Sequence, residues 1–193
     1  MNGLVLAGGK STRMGHDKAS INWHGKEQQY HIADLLKDFC TSVFISCRTP
    51  QPTIEQNGYA SLPDSITGLG PYGAILSAFE KDSTCAWLVV ACDLPMITHS
   101  TLNFLVKNRK PEYIATTFQS PFDSLPEPLI TIWEPGSYPV LKSFLSKGIS
   151  CPRKALIHSI ANIIKAEDPN SLMNVNTPEE ALKASEILQL NKK

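Results

Sequence analysis

The residues whose types and spacing best suit ligand binding lie in a glycine-rich segment near the start of the chain, at positions 8–18. Gly8 and Gly9 follow a short apolar run, and adjacent glycines allow a backbone to approach a ligand closely. Successive backbone N–H groups in such a loop form a concave surface that binds anions. Formal positive charge comes from Lys10, Arg13 and Lys18. The segment therefore predicts a site for the phosphates of a nucleotide, and the alternative is a tight turn with basic residues on its surface.

This segment matches neither of two common phosphate-binding motifs. No Lys-Ser or Lys-Thr pair follows a second glycine at the spacing that G-x-x-x-x-G-K-[ST] requires, and the glycines do not have the spacing of G-x-G-x-x-G. A simple ATPase and a nicotinamide-dependent dehydrogenase are therefore not supported.

Asp93 is the predicted metal ligand, because it directly follows the strongly apolar run of residues 86–92. Nucleoside triphosphates bind together with Mg²⁺, which takes one or two carboxylates plus phosphate oxygens. A carboxylate at the end of a buried strand can hold that ion over the phosphates. The alternative is that Asp93 stabilises the turn at Leu94 and Pro95.

Three further polar residues follow or flank predicted elements. Asp64 precedes a second glycine-rich segment, and Asn174 and Asn176 flank Val175 in an extended piece, where their side chains share one face. Ligands of open α/β sheets bind beyond the carboxyl ends of the strands. These residues are therefore predicted to converge on one crevice with the opening loop, and turn chemistry is the alternative for the two asparagines.

The hydrophobic pattern predicts strands and helices in alternation. Strands are predicted before Gly8 and at residues 43–47, 86–92, 113–118 and 129–133. Helices are predicted at residues 28–40, 72–80, 100–108, 138–146, 153–160 and 178–188. Residues 19–23 and 172–176 are predicted to be extended, residues 48–62 to be a loop with at most one short strand, and the proline-rich residues 119–128 to be irregular. We predict a three-layer α/β fold on a mostly parallel sheet, with residues 1–193 forming one domain.

The last helix has a sequence signature at its start. Thr177 is the predicted N-cap, Pro178 occupies the first helical position, and Glu180 is placed to reach back to the cap.

Composition narrows the class of protein. Lys and Arg number 18, and Asp and Glu also number 18, so no global field favours nucleic acid or a membrane surface. Five cysteines without metal spacing predict neither a disulfide framework nor a zinc site. No apolar run approaches the ~20 residues of a bilayer span, and no leader is recognisable. We expect a cytoplasmic protein with no nucleic-acid or membrane partner.

Several motifs together resemble those of one family. Residues 6–18 (LAGGKSTRMGHDK) resemble the opening motif of the molybdenum cofactor guanylyltransferases, the MobA-like nucleotidyltransferases. Residues 92–95 (CDLP) resemble the family's C-D-x-P, and residues 174–180 (NVNTPEE) resemble its closing N-V-N-T-P-E-E. Residues 64–71 are similar to its middle loop. The resemblance implies a Rossmann-like nucleotidyltransferase fold.

The resemblance also implies an activity, which is Mg²⁺-dependent transfer of GMP from GTP to the phosphate of molybdopterin with release of pyrophosphate. GTP and molybdopterin would be the substrates, and molybdenum-insertion and pterin-carrier proteins would be further partners. Positions matching the family motifs imply nucleotide contacts from Leu6, Ala7, Gly8, Gly9, Lys10, Lys18, Asp64 and Asp93. Catalytic roles are implied for Lys18, Arg13 and Asp93, with Asp93 as the metal ligand.

On the acceptor side, the resemblance places Asn174 and Asn176 near the metal or the pterin, and residues 126–129 at the pterin-side loop. The Gly8-Gly9 pair resembles the guanylyl branch of the superfamily, whereas cytidylyltransferases typically open with L-A-A-G. Other functions remain open: a CTP-using molybdopterin cytidylyltransferase, a sugar-phosphate nucleotidyltransferase, and a non-catalytic nucleotide-binding regulatory module.

Overall fold

A computed structural model describes residues 1–7, 21–48, 54–55 and 57–190 of the chain. Seven strands in this part form one sheet: β1 (Asn2–Leu6), β2 (Val43–Cys47), β3 (Ala60–Pro63), β4 (Trp87–Ala91), β5 (Ala115–Gln119), β6 (Pro126–Trp133) and β7 (Asn162–Ile164). Their order is β3-β2-β1-β4-β6-β5-β7. Only β6 runs antiparallel to its neighbours in this sheet, so the predicted mostly parallel sheet is confirmed.

The helices of the described residues are α1 (Gln28–Lys37), α2 (Pro71–Lys81), α3 (His99–Lys107), α4 (Ser137–Ser146), α5 (Pro152–Ile157) and α6 (Pro178–Leu190), with a 3₁₀ turn at Pro169–Leu172. No helix among the described residues is long and apolar enough to cross a bilayer.

The core lies on both faces of the central strands, because side chains of a strand alternate between its faces. Val90 of β4 packs with Ile32 and Leu36 of α1 on one face. Val89 of the same strand packs with Ile75 of α2 on the other face. Every residue of β4 is buried, which explains its uninterrupted apolar sequence. The sheet is therefore the middle of three layers.

A partly buried ion pair joins the segment that follows α3 to the residue that follows β6. The guanidinium of Arg109 donates to both carboxylate oxygens of Glu134, at 2.7 and 2.8 Å. The Glu134 side chain is only 4% exposed, and its hydrogen bonds raise the pKa of Arg109. Two parallel hydrogen bonds make this the strong form of such a pair.

The structure differs from the sequence prediction mainly in the second half of the chain. Strand β6 begins at Pro126 and not at residue 129, so part of the proline-rich segment is regular. The prolines are tolerated because the register of β5 against β6 shifts there and β4 pairs with β6 only as far as Ile130. Strand β7 was not predicted, and helix α5 ends at Ile157, earlier than predicted. Residues 173–176 have no regular secondary structure, whereas an extended piece was expected over 172–176.

Candidate active site

The carboxyl ends of the parallel strands bring the candidate residues to one edge of the sheet. Leu6 pairs with Ala91, and the amide of Cys92 donates to the carbonyl of Leu6 at 3.2 Å, so the ends of β1 and β4 are adjacent. Asp64 directly follows β3 and donates its amide to the carbonyl of Cys47 at 2.8 Å. Asp93 and Asp64 therefore lie at the same edge of the sheet, on strands separated by β1 and β2.

A backbone hydrogen bond joins Asp93 to the segment that contains both asparagines. The amide of Val175 donates to the carbonyl of Asp93 at 2.8 Å. The Val175 side chain is 2% exposed, which anchors the segment in the core. This hydrogen bond brings the backbone segment of Asn174 and Asn176 next to that of Asp93.

The predicted capping box holds this segment from its other side. The Glu180 carboxylate accepts from the amide of Asn176 at 2.6 Å and from the amide of Thr177 at 3.1 Å. In return the hydroxyl of Thr177 accepts from the amide of Glu180 at 3.2 Å. The cap therefore fixes the start of α6 and the backbone of Asn176 together.

Asp64 is partly buried at the start of a mostly exposed loop that is fastened to α2. The hydroxyl of Ser77 accepts from the amide of Ser65 at 2.8 Å and donates to the carbonyl of Gly73 at 2.8 Å. Burial raises the pKa of Asp64, while Arg48 acts in the opposite direction. A Cβ atom at Gly73 would lie 2.7 Å from the carbonyl oxygen of Ile66, so the loop and the helix approach closely only because residue 73 is glycine.

Oxygen atoms at this edge fit a hard cation such as Mg²⁺. The Oδ1 atom of Asn174, in the segment bonded to Asp93, is buried and has no hydrogen-bond partner among the described residues; the Oδ1 atom of Asp64 is in the same condition but lies three strands away from Asp93. Carboxylate and amide oxygens are the donors that such a cation prefers. No three or more His, Cys, Asp or Glu side chains in the described ranges are grouped to hold a metal by themselves. A cation here would need further oxygens, and the phosphates of a nucleotide supply that kind of donor.

Glu127 is a candidate that the sequence did not single out, although the resemblance pointed to its segment. It starts the antiparallel strand β6 and so lies at the same edge as Asp93, with a side chain only 4% exposed. Arg153 of α5 donates to Glu127 at 3.2 Å and to Asp123 at 2.6 Å. Burial raises the pKa of Glu127; the charges of Asp93 and Asp123 add to that rise, and Arg153 opposes it. Glu127 stands between two prolines, and the sequence there has no hydrophobic periodicity that would predict a buried side chain.

The opening loop is only partly described. Leu6 ends β1, and the amide of Ala7 donates to the hydroxyl of Ser46 at 3.4 Å. The predictions for Gly8, Gly9, Lys10, Arg13 and Lys18 lie outside the described residues.

The fold is that of an α/β protein with a mostly parallel sheet, a class whose members bind ligands beyond the carboxyl ends of the strands. The chain belongs to the family with the MobA-like NTP transferase domain, whose sequence model matches residues 3–163. The resemblance found in the sequence motifs is therefore confirmed.

Two relatives and one solved structure illustrate the similarity. The chain is 33% identical over 179 residues to the molybdenum cofactor biosynthesis bifunctional protein of Synechocystis sp., covering 92% of this chain but only 52% of that protein. It is 28% identical over 188 residues to the molybdenum cofactor guanylyltransferase of Shewanella frigidimarina, covering 93% of each chain. The crystal structure of molybdopterin-guanine dinucleotide biosynthesis protein A from Archaeoglobus fulgidus has a TM-score of 0.80 at 21% identity, covering 98% of this chain and 100% of that one. This last similarity confirms the predicted nucleotidyltransferase fold.

Proposed function

We propose that this protein transfers GMP from GTP to the phosphate of molybdopterin, releasing pyrophosphate, in the biosynthesis of the molybdenum cofactor. Membership of the NTP transferase family and the names of the relatives support this reaction class and these substrates. The observation that carries the proposal is the 2.8 Å hydrogen bond between Val175 and Asp93, which joins two of the family's motifs at one edge of the sheet.

Mg²⁺ is the proposed cofactor, and Asp93 is its proposed protein ligand, with Asn174 and Asn176 beside the metal or the pterin. The ion would neutralise charge on the phosphates during transfer. Leu6, Ala7 and the two glycines after them would contact the guanosine and its phosphates.

In the proposed reaction, a phosphate oxygen of molybdopterin attacks the α-phosphorus of GTP. A new P–O bond forms there while the bond from the α-phosphorus to the bridging oxygen breaks, and the electron pair leaves with pyrophosphate. Such a transfer depends on positioning and charge neutralisation more than on covalent chemistry. Lys10, Arg13 and Lys18 would hold the triphosphate, where Arg13 can donate to two oxygens at once. Asp64 would contact the nucleotide.

The setting follows from the substrates. GTP and molybdopterin would be taken up from the cytoplasm, and proteins that carry the pterin or insert molybdenum would be the partners that deliver or receive it. Neither nucleic acid nor a membrane enters the proposal.

The proposal is tested with a panel of GTP, CTP, ATP and UTP, each with Mg²⁺ and molybdopterin, following pyrophosphate release and the mass of the product. We expect turnover with GTP and a product that carries GMP. Turnover with CTP and not GTP would refute the guanylyl assignment, and nucleotide binding without turnover would favour a regulatory module.

The role of Asp93 is tested by Asp93→Asn, with Asp38→Asn as the matched control, since Asp38 is an exposed carboxylate in the C-cap of α1. We expect Asp93→Asn to lower turnover by roughly 100-fold or more with an unchanged far-UV spectrum, and Asp38→Asn to behave as wild type. A collapsed far-UV spectrum in Asp93→Asn would favour the turn-stabilising role instead.

A further inference from the structure

The turn that carries Asp93 is held by four hydrogen bonds, which fasten it to three other segments of the chain. Its residues are 92–95, directly after β4. Two of its fastenings are backbone hydrogen bonds, from Cys92 to the carbonyl of Leu6 and from Val175 to the carbonyl of Asp93. The other two are made by side chains that lie just before or at the start of α1.

Gln28, the first residue of α1, makes the first of these side-chain contacts. Its Nε2 atom donates to the carbonyl of Leu94 at 3.2 Å. Since a carbonyl can only accept, the amide nitrogen must face Leu94. The Oε1 atom then points into the protein, where it is buried and has no hydrogen-bond partner among the described residues.

That arrangement is costly for a purely structural residue. Gln28 is 0% exposed, and leaving a buried acceptor unpaired offsets much of what one hydrogen bond contributes. An apolar side chain of similar length would fill the same space without that cost. What an apolar side chain could not do is hold the carbonyl of Leu94, one residue after Asp93.

His24 makes the second side-chain contact. Its Nε2 atom lies 2.9 Å from the carbonyl oxygen of Pro95, so this nitrogen carries the proton that is donated. The ring stacks on His31 with centroids 3.9 Å apart and planes at 17°, which fixes its orientation. His24 and Gln28 therefore donate to two consecutive carbonyls of the turn, those of Pro95 and Leu94, from the start of α1.

We propose that Gln28 and His24 are positioning residues for nucleotidyl transfer. By holding the carbonyls of Leu94 and Pro95, they fix the backbone on the carboxyl side of Asp93 and so orient its carboxylate toward the metal–phosphate complex. This inference rests on the proposed function, and in particular on Asp93 as the metal ligand.

The test uses Gln28→Met, which keeps the length of the side chain and removes the hydrogen bond, and His24→Phe, which keeps a ring to stack on His31. The matched control is Asn162→Leu. It removes another side-chain amide, which donates to the carbonyl of Asn108 at 2.9 Å, at the opposite edge of the sheet.

Two readouts do not depend on turnover: hydrogen exchange at the amide of Val175, and the affinity for GTP measured with Mg²⁺ and with a chelator. We expect each test variant to speed exchange at Val175 about fivefold, which corresponds to the net contribution of one hydrogen bond. We expect affinity for GTP with Mg²⁺ to fall by a similar factor while affinity in the chelator is unchanged. Turnover should fall together with the affinity measured in Mg²⁺, and excess Mg²⁺ should partly restore it. The control should change none of these.

Wild-type exchange and wild-type Mg²⁺-dependent binding in both Gln28→Met and His24→Phe would overturn the positioning role. A fall in affinity that is equal with Mg²⁺ and with the chelator would also overturn it, because it would mean a general loss of structure. Failure of the wild-type protein to transfer GMP would refute the proposed function by itself, and the nucleotide panel detects that separately.

Discussion

We predict from the histidine pair beside the candidate site that the protein loses stability as the pH falls from 6.5 toward 4, where an ordinary carboxylate is still ionised. His31 is half-buried on α1 and stacks on His24. Its pKa is lowered to about 4, mainly by burial and to a smaller extent by the charges of His24 and Lys26. Asp34, which pairs with Lys26 and Lys37, opposes the shift. The ring therefore stays neutral in the folded protein at pH 5.

The size of the effect follows from the difference between the folded and unfolded pKa values. In the unfolded chain the imidazole has its ordinary pKa of 6.5, so at pH 5 the unfolded state binds a proton that the folded state does not. The contribution of His31 to stability is complete above pH 6.5 and is lost as the pH falls toward 4. Linkage gives about 2 kcal/mol at pH 5, or about 1–2 kcal/mol once solvent screening of the half-buried ring is allowed for.

The measurement is urea denaturation at pH 7 and pH 5 of the wild type and of His31→Phe, which keeps an aromatic ring for the stack but does not titrate. Other titrating groups contribute to both proteins and cancel in the difference. We expect the free energy of unfolding to fall less in His31→Phe than in the wild type, by about 1–2 kcal/mol. An equal fall in both proteins would refute the argument that His31 is kept neutral by burial.

Three further substitutions test the supports of the site and of the fold. Glu180→Ala should lower the free energy of unfolding in urea by about 1–2 kcal/mol, because it removes the acceptor for the amide of Asn176. It should also weaken metal-dependent GTP binding. An unchanged free energy of unfolding would contradict the stabilising role of this cap. Gly73→Ala should displace the loop at Ile66 and raise KM for GTP more than it lowers kcat, because the new methyl group meets a backbone carbonyl at 2.7 Å; an unchanged KM would show that the loop yields freely. Arg109→Met should cost about 3 kcal/mol or more in the same denaturation assay, because it leaves a buried carboxylate unpaired; a cost below 1 kcal/mol would mean that solvent reaches that carboxylate.

The sequence predicted the first half of the fold well because its signals are local and strong. Val43–Cys47 and Trp87–Ala91 are apolar runs with turn residues after them, and the structure places strands there. The capping box at Thr177 and Glu180 was predicted because it depends on residues three positions apart. Asp93 could be placed at the edge of the sheet because the end of a buried parallel strand fixes where the next residue lies.

The second half was harder because its structure depends on contacts between distant residues. Strand β7 has three residues, of which Ile163 is 45% exposed, so it has no apolar period of its own and forms only by pairing with β5. The burial of Glu127 depends on Arg153, which follows it by 26 positions. No pattern within one segment indicates that such a pair will meet.

The same reasoning explains why so many separate segments meet at Asp93. A turn that follows a fully buried central strand takes its backbone groups away from water, and each group then needs a partner within the protein. Strand order makes the end of β1 the neighbour of that turn, so Leu6 supplies one partner. The carbonyls of Asp93 and Leu94 accept instead from Val175 and Gln28, which lie far apart in the chain. Satisfying these backbone groups and orienting the carboxylate of Asp93 are therefore one structural requirement, and a substitution that loosens the turn should be detected first in the binding of the metal–nucleotide complex and only later in stability.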